Sequence, residues 1–334
     1  GNGEAVPAEL SGGSPSVRLN SGALMPLVGL GTLSLGLEPG ATKAAVLAAL
    51  ELGYRHLDCA RMYQNEKEVG EAVKEAQERG IVKREELFIT TKLLGTMHGA
   101  SKVAGALNQS LRGLGIDYVD LFLIHSPLPG PPYRPPFADY EDTWKGMEKL
   151  VDDGKARAIG ISNWSKPKLE RILKVARIKP AVNQVELHPY LPQQELVDFC
   201  RSQQIVMTAH SPLGSADSGP AQGHRGDIVL RIPAVLRAAK KLGKSPAQIV
   251  LRWHLQRGVA VIPKSKTPER QAENLAVIDW ELEAAEFQAL CKEKHRERLW
   301  TFAPDIAYEN SPFAGPLEVW DDQEGLPDPD ENPF

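Results

Sequence analysis

The sequence predicts a (β/α)8 barrel of the TIM type, with an N-terminal β-hairpin as a cap. Two observations carry that prediction: eight short apolar runs are each followed by a helical pattern, and most runs end in a polar or charged residue. The first four units pair 27–29 with 42–52, 56–58 with 66–78, 87–91 with 102–114, and 119–124 with 141–151. Residues 158–161 then precede 166–176, 181–185 precede 194–201, 206–209 precede a longer interruption before the helical 246–256, and 259–262 precede 267–276. No linker interrupts the series, so parallel strands joined by crossover helices are required, and eight such units close most economically into a barrel. The competing architecture, an open doubly wound sheet, needs a phosphate-binding glycine fingerprint after its first strand. Gly29-Leu30-Gly31 is followed instead by Leu33 and Ser34.

The remaining segments attach to this frame. Residues 1–15 are polar and read as a flexible N-terminus, and 16–334 as one barrel domain that includes a C-terminal helix and tail. Residues 16–19 and 23–26 flank Asn20-Ser21-Gly22, a turn sequence that makes the capping hairpin. The proline-rich 127–138, the polar 215–231 and the tail 293–334 are the long insertions, and in a barrel such segments cover the active face. The tail carries Trp300, Phe302, Tyr308, Phe313, Trp320 and Phe334 without a helical period.

Composition narrows the function classes. The chain has 334 residues, of which 42% are hydrophobic and 25% charged, with 39 basic against 43 acidic side chains and a net charge of -4. No basic excess is available to neutralise a phosphate backbone, so nucleic acid is not an expected partner. Apolar runs such as 119–124 fall far short of the roughly 18 residues a membrane span needs, and 1–16 lacks a signal pattern; no membrane partner and a cytoplasmic location are expected. Cys59, Cys200 and Cys291 are odd in number, widely spaced and outside any CxxC or paired-histidine pattern, which argues against disulfides and against a metal site. With no heptad or exposed apolar stripe, a monomer is the default.

The chemistry lies at the strand ends. Asp58, Lys92, His125, Ser162 with Asn163, Gln184 with Glu186, His210 with Ser211, and Lys264 with Ser265 follow successive apolar runs. The first four stand 34, 33 and 37 residues apart, each about one strand–helix unit, so the side chains converge on one mouth. Tyr63 follows Asp58 on the same loop. A lysine beside a tyrosine favours phenolate and lowers the tyrosine's ordinary value near 10, while a carboxylate holds the lysine charged. Proton donation to a developing alkoxide is the chemistry such a tyrosine suits. Lys264-Ser265-Lys266, with Arg270 near a helix start, concentrates cations where a phosphate also meets backbone N–H groups. Taken singly, these residues have plainer readings: Asp58 as a structural carboxylate, Tyr63 as a packed aromatic, His125 as a core histidine, Lys264 and Arg270 as a solvated face. Convergence is what selects the chemical reading.

Five segments in order resemble the aldo-keto reductases: Gly53-Tyr54-Arg55-His56-Leu57-Asp58-Cys59-Ala60-Arg61-Met62-Tyr63-Gln64-Asn65-Glu66; Leu121-Phe122-Leu123-Ile124-His125-Ser126-Pro127; Gly160-Ile161-Ser162-Asn163; Asn183-Gln184-Val185-Glu186; and Ile262-Pro263-Lys264-Ser265 with Thr267-Pro268-Glu269-Arg270 and Ala272-Glu273-Asn274. The resemblance covers 17–279. It implies reversible NADPH-dependent reduction of aldehydes or ketones to alcohols, with Asp58, Tyr63, Lys92 and His125 catalytic and Tyr63 the proton donor. It also implies nicotinamide contacts at Ser162, Asn163 and Gln184, and adenosine-phosphate contacts at Lys264, Ser265, Arg270, Glu273 and Asn274. Gly31, Thr32, Asp58, His210, Ser211, Leu213, Ser215, Asp217 and Lys266 complete the expected cofactor set, with Leu33, Leu94, Ser126 and Trp300 lining the substrate pocket. A 2'-phosphate contacted by these cations favours NADPH over NADH.

The chain departs from the family at three places. Leu33 and Leu94 stand where many members carry aromatic walls, and His210 stands where the cofactor-stacking residue is usually tyrosine. A wider, less aromatic pocket follows, with a titratable ring against the cofactor. Two other readings remain open on the same barrel: an NADPH-binding regulatory or auxiliary subunit, against which the four intact catalytic residues argue, and an isomerase or lyase, which leaves Ser162, Asn163 and Gln184 without a task.

Overall fold

The chain's structure, a computed structural model, describes residues 9–11, 14–36, 38–129, 139–214, 228–300 and 321. Three short strands, Glu9–Ser11 (β1), Ser14–Arg18 (β2) and Leu24–Pro26 (β3), make a small antiparallel sheet. Alternation then begins with Leu30–Gly31 (β4), Ala41–Glu51 (α1), His56–Asp58 (β5), Glu66–Glu78 (α2), Phe88–Leu93 (β6) and Ala100–Leu114 (α3). It continues through Val119–Ile124 (β7), Tyr140–Asp152 (α4), Ala156–Ser162 (β8), Lys166–Val175 (α5), Val182–Glu186 (β9) and Gln194–Ser202 (α6). Val206–His210 (β10), Pro233–Leu242 (α7), Pro246–Gln256 (α8), Val259–Val261 (β11), Pro268–Leu275 (α9) and Ala284–Cys291 (α10) complete the described elements.

Strands β4 to β11 pair in parallel in consecutive order. A parallel bridge between Val28 and Val261 joins the first to the last, with Gly29 N donating to the Val261 carbonyl at 2.8 Å. The (β/α)8 barrel is therefore closed, as the alternation demands.

Parity along the strands decides what the barrel encloses, because residues two apart face the same side. Leu121 and Leu123 of β7 join an interior cluster, whereas Phe122 and Ile124 pack outward with Leu107, Leu111 and Met147 of the helices. The interior cluster takes Phe88 from β6, Ala158 from β8, Val182 from β9 and Ala260 from β11, together with Val17, Leu19 and Met25 of the hairpin sheet. The predicted hairpin cap thus plugs the amino-terminal end of the barrel with apolar side chains.

Three details differ from the sequence reading. The ladder of the first barrel strand forms at Leu30–Gly31, with Leu57 and Asp58 opposite, rather than at 27–29, whose apolar residues only bridge to β11. The long interruption after the seventh strand contains α7, whose signals were present: Pro233 in the first turn and Gly243, at φ 61°, as the left-handed stop. Glu9–Ser11 pairs with Ser14–Ser16, a strand not anticipated in the polar start.

The seam between first and last strands needs a residue without a side chain. A Cβ on Gly31 would stand 2.7 Å from the carbonyl oxygen of Ile262, a backbone atom that cannot swing aside. Gly31→Ala is expected to cost about 1–3 kcal/mol through this overpacking and to lower the thermal midpoint by several degrees. Calorimetry decides it, and an unchanged midpoint would show that the seam opens at no cost.

Candidate active site

The inward parity that buries Phe88 at the foot of β6 carries upward through Thr90 to Lys92, and in β5 through His56 to Asp58. The same rule lifts Ser162 on β8, Gln184 and Glu186 on β9, and His210 on β10 to the carboxyl end, with Ser162 opposite Gln184 and His210 opposite Glu186. His125 follows Leu121 and Leu123 in step. Apolar residues fill the lower barrel and polar ones its mouth.

Lys92 is wholly buried and its ammonium has three partners: Asp58 Oδ2 at 2.5 Å, the Cys59 carbonyl at 3.0 Å and the Tyr63 hydroxyl at 3.1 Å. The second Asp58 oxygen accepts from Gln184 Nε2 at 2.7 Å. Burial by itself pushes the lysine down, but the charge and hydrogen bond of Asp58, with Tyr63 adding, raise it above its ordinary value. Lys92 is a permanent cation. Across the mouth the His125 ring meets Tyr63 edge to face, centroids 5.8 Å apart, and its buried Nδ1 has no protein partner. Burial, with Lys92 and His210 nearby, drives His125 well below 6.5, so its imidazole is neutral.

Tyr63 corrects one expectation. Lys92 does lower it as foreseen, but burial is the larger effect and the net direction is upward from 10. The hydroxyl therefore remains protonated at neutral pH, the form that donates.

A second run of hydrogen bonds rings the mouth. Asn163, at φ 64°, donates Nδ2 to the His125 carbonyl at 2.9 Å and to Ser162 Oγ at 3.2 Å, and Ser162 Oγ donates to the Gln184 carbonyl at 2.7 Å. Asn163 Oδ1 then faces His210 Nε2 at 2.8 Å, so that nitrogen carries the proton. His210 Nδ1 accepts from Ser211 Oγ at 3.2 Å, and Ser211 Oγ accepts from the Trp300 indole N–H at 2.9 Å. Burial, ahead of smaller effects from Glu186, Lys92, Asp58 and His188, lowers His210 to about 4, which keeps it neutral.

Beside this ring, Lys264 is half-buried just past β11, the neighbour of β10, and Lys266 and Arg270 are exposed around the start of α9. Ser265 is buried and its Oγ accepts from Thr267 N at 3.3 Å. Gly31 N donates to the Pro263 carbonyl, and Thr32 Oγ1 to the Asp58 carbonyl, which ties this side to that of Asp58 and Lys92. Glu273 accepts a hydrogen bond from Ser245, and Asn274 is buried. The structure thus brings Asp58, Tyr63, Lys92, His125, Ser162, Asn163, Gln184, His210, Ser211 and Trp300 into one bonded mouth. Leu33, 39% exposed, and the half-buried Leu94 and Ser126 follow β4, β6 and β7, while Leu213 lies partly buried after β10. Ser215 and Asp217 lie outside the described residues, as do Phe302 and residues 130–138.

One residue that sequence reasoning sets at a strand end without giving it a role shapes this mouth. Glu186 is fully buried and accepts from His188 Nε2 at 2.8 Å and from the backbone N–H groups of Leu299 and Trp300 at 2.8 and 2.9 Å. Its position at a strand end two residues from Gln184 was the available signal. Among the described residues no group of three metal-ligating side chains forms, and no helix is long and apolar enough to cross a membrane.

A barrel whose mouth holds a charge-compensated lysine beneath a protonated tyrosine is that of an oxidoreductase acting between carbonyl and alcohol. The chain belongs to the aldo/keto reductase family, whose sequence profile matches residues 27–294. It is 46% identical to aldo-keto reductase family 1 member A1 of Gallus gallus, over 82% of this chain and 86% of that protein, and 45% identical to the Homo sapiens protein of that name, over 82% and 87%. Its structure is similar to that of an aldo-keto reductase of Bombyx mori in complex with NADP, with a TM-score of 0.82 and 37% identity, covering 90% of this chain and 99% of that one. The aldose reductase of Schistosoma japonicum gives a TM-score of 0.79 at 39% identity, covering 90% and 98%.

The directions of the shifts set the pH dependence. The protonated form of Tyr63 is complete below its raised value and is lost only as pH rises through it, and His125 is neutral above its lowered one. The single-turnover rate of carbonyl reduction is expected to be flat from about pH 7 to 9. A threefold fall within that window would place the tyrosine's titration there and overturn the assignment.

Proposed function

We propose that the chain reduces aldehydes and ketones to alcohols with NADPH, and that Tyr63 is the acid. The observation that carries this reading is the Tyr63 hydroxyl, 3.1 Å from the buried Lys92 ammonium and across the mouth from a neutral His125. The residues present fit a nicotinamide dinucleotide. Asn163 Oδ1 and Gln184 Nε2 each make one of the two bonds they can make, leaving an acceptor and a donor for a carboxamide. Lys264, Ser265, Lys266 and Arg270 would hold a 2'-phosphate at the start of α9, with Glu273 and Asn274 beside it. Gly31, Thr32, Ser211, Leu213, Ser215 and Asp217 would border the rest, with His210 against the nicotinamide and Ser162 fixing Gln184. When bound, NADPH supplies the hydride.

The chain's own groups then manage the proton. His125, as a neutral imidazole, donates a hydrogen bond that orients the carbonyl oxygen. Tyr63 passes its proton to that oxygen as negative charge develops on it. Lys92 stabilises the phenolate left behind, and Asp58 balances the lysine so that the buried site carries no uncompensated cation in the resting state. Leu33, Leu94, Ser126 and Trp300 border the space for the substrate's substituents. The partner is a small carbonyl compound, with neither nucleic acid nor membrane required, and the chain acts as a cytoplasmic monomer.

Tyr63→Phe is expected to keep the ring packing and NADPH affinity while lowering the single-turnover rate by about 10²- to 10⁴-fold, the range acid catalysis contributes. A variant retaining more than about a tenth of the rate would remove Tyr63 from that role. Lys264→Ala and Arg270→Ala are each expected to weaken NADPH binding about tenfold or more, with NADH changing less than twofold, because only the former presents a 2'-phosphate. Equal losses for the two cofactors, measured by fluorescence titration, would make both residues structural.

A further inference from the structure

Consecutive backbone N–H groups in an extended chain point in opposite directions, so two of them cannot ordinarily reach one carboxylate. Leu299 and Trp300 do so: the chain bends at Leu299, and both amides converge on Glu186, one on each oxygen, at 2.8 and 2.9 Å. Their partner sits 113 and 114 residues earlier, at the end of β9, with no exposure to solvent and a third hydrogen bond from His188. Leu299 is itself buried, and just upstream Glu297 N donates to the Tyr190 carbonyl while the His295 ring stacks edge-on against Tyr190. Beyond the bend the indole of Trp300 donates to Ser211 Oγ and lies edge to face with His210 at 6.4 Å. Where Glu186 holds the backbone determines where that indole stands.

We infer that Glu186 is a positioning residue: a buried latch that pins the C-terminal segment at Leu299 and Trp300, sets the indole as a wall of the mouth, and so governs which carbonyl substituents the enzyme accepts. The inference rests on the mouth being the site of the reduction proposed above. The selection is steric. With the latch closed, the indole occupies fixed space beside His210; with it open, that space becomes available to bulky substrates. Glu186 touches neither the reacting oxygen nor Tyr63, so small aldehydes that do not reach the indole are reduced as before. Burial alone would raise the Glu186 carboxyl, but the hydrogen bond and charge of His188, with Arg298 adding, bring it down to about 2, so the latch is ionised wherever the enzyme works.

Two measurements test this. Amide hydrogen exchange across 297–300 of the wild-type protein, with NADPH bound, is expected to show strong protection at Leu299 and Trp300, and Glu186→Gln to lose it at one of the two amides, since the side-chain carbonyl still accepts one backbone N–H and the new NH2 accepts none. The ratio of kcat/KM for a bulky aromatic ketone to that for propanal is expected to shift about fivefold or more in Glu186→Gln, with NADPH affinity and the propanal rate within about twofold. Glu186→Gln combined with Trp300→Ala is expected to give the ratio of Trp300→Ala alone, because a residue acting through another adds nothing once that other is gone. Additive shifts, equal losses for both substrates, or rapid exchange at both amides in the wild-type protein would overturn the latch; the last arm needs no variant to fold. If the wild-type protein reduces neither substrate, the reading of its function fails, and the exchange measurement still decides the latch.

Discussion

A lysine ammonium with no access to water is the constraint from which the upper barrel follows. An unpaired cation there is untenable, and removing one partner of such a buried pair typically costs about 3–5 kcal/mol. Asp58 must therefore stand on the neighbouring strand with the same parity, and the pairing of His56 with Phe88 and Asp58 with Thr90 gives it that place. Its second oxygen needs a donor, which Gln184 supplies from across the barrel; Gln184 is in turn held through its carbonyl by Ser162. Tyr63 completes the set by taking the remaining reach of the ammonium. Charge compensation thus ties three separate strands to one loop, and Tyr63 is held by the same bonds that make the lysine tolerable.

How much of this could be read from residues alone depended on whether the signal was local. Eight units are visible because each strand is a short apolar run, most of them closed by a polar residue, and the positions of Asp58, Lys92 and His125 follow from their spacing. The first strand was placed early because Leu27 and Val28 carry the apolar signal while Leu30 and Gly31 carry the ladder. The direction of the Tyr63 shift could not be read, since it turns on how far burial outweighs a neighbouring charge, and burial is a property of the assembled mouth. The place of Glu186 at a strand end is legible, but its role is not, for a similar reason: its partners at Leu299 and Trp300 are backbone amides more than a hundred residues away, and a backbone amide has no sequence signature.

The ring of hydrogen bonds around the mouth has a definite direction. An indole can only donate, so Ser211 must accept from Trp300 and pass its own hydrogen to His210. His210 then gives its remaining N–H to Asn163, whose amide group donates to the His125 carbonyl. A tyrosine at position 210 would have a single hydroxyl in place of two opposed nitrogens. The histidine is thus the residue type that lets the tail and the strand-end asparagine share one uninterrupted run.

The seam between β4 and β11 is the scantiest joint of the barrel, two residues on one side and three on the other. During synthesis the amino-terminal strands emerge first, and β4 waits as an unpaired edge until some 230 further residues have been made. A long, flat, apolar edge in that interval would invite pairing with other nascent chains. Two residues ending in glycine offer almost nothing to pair with. Brevity at the seam weakens the finished cylinder slightly and shelters the unfinished one from its neighbours.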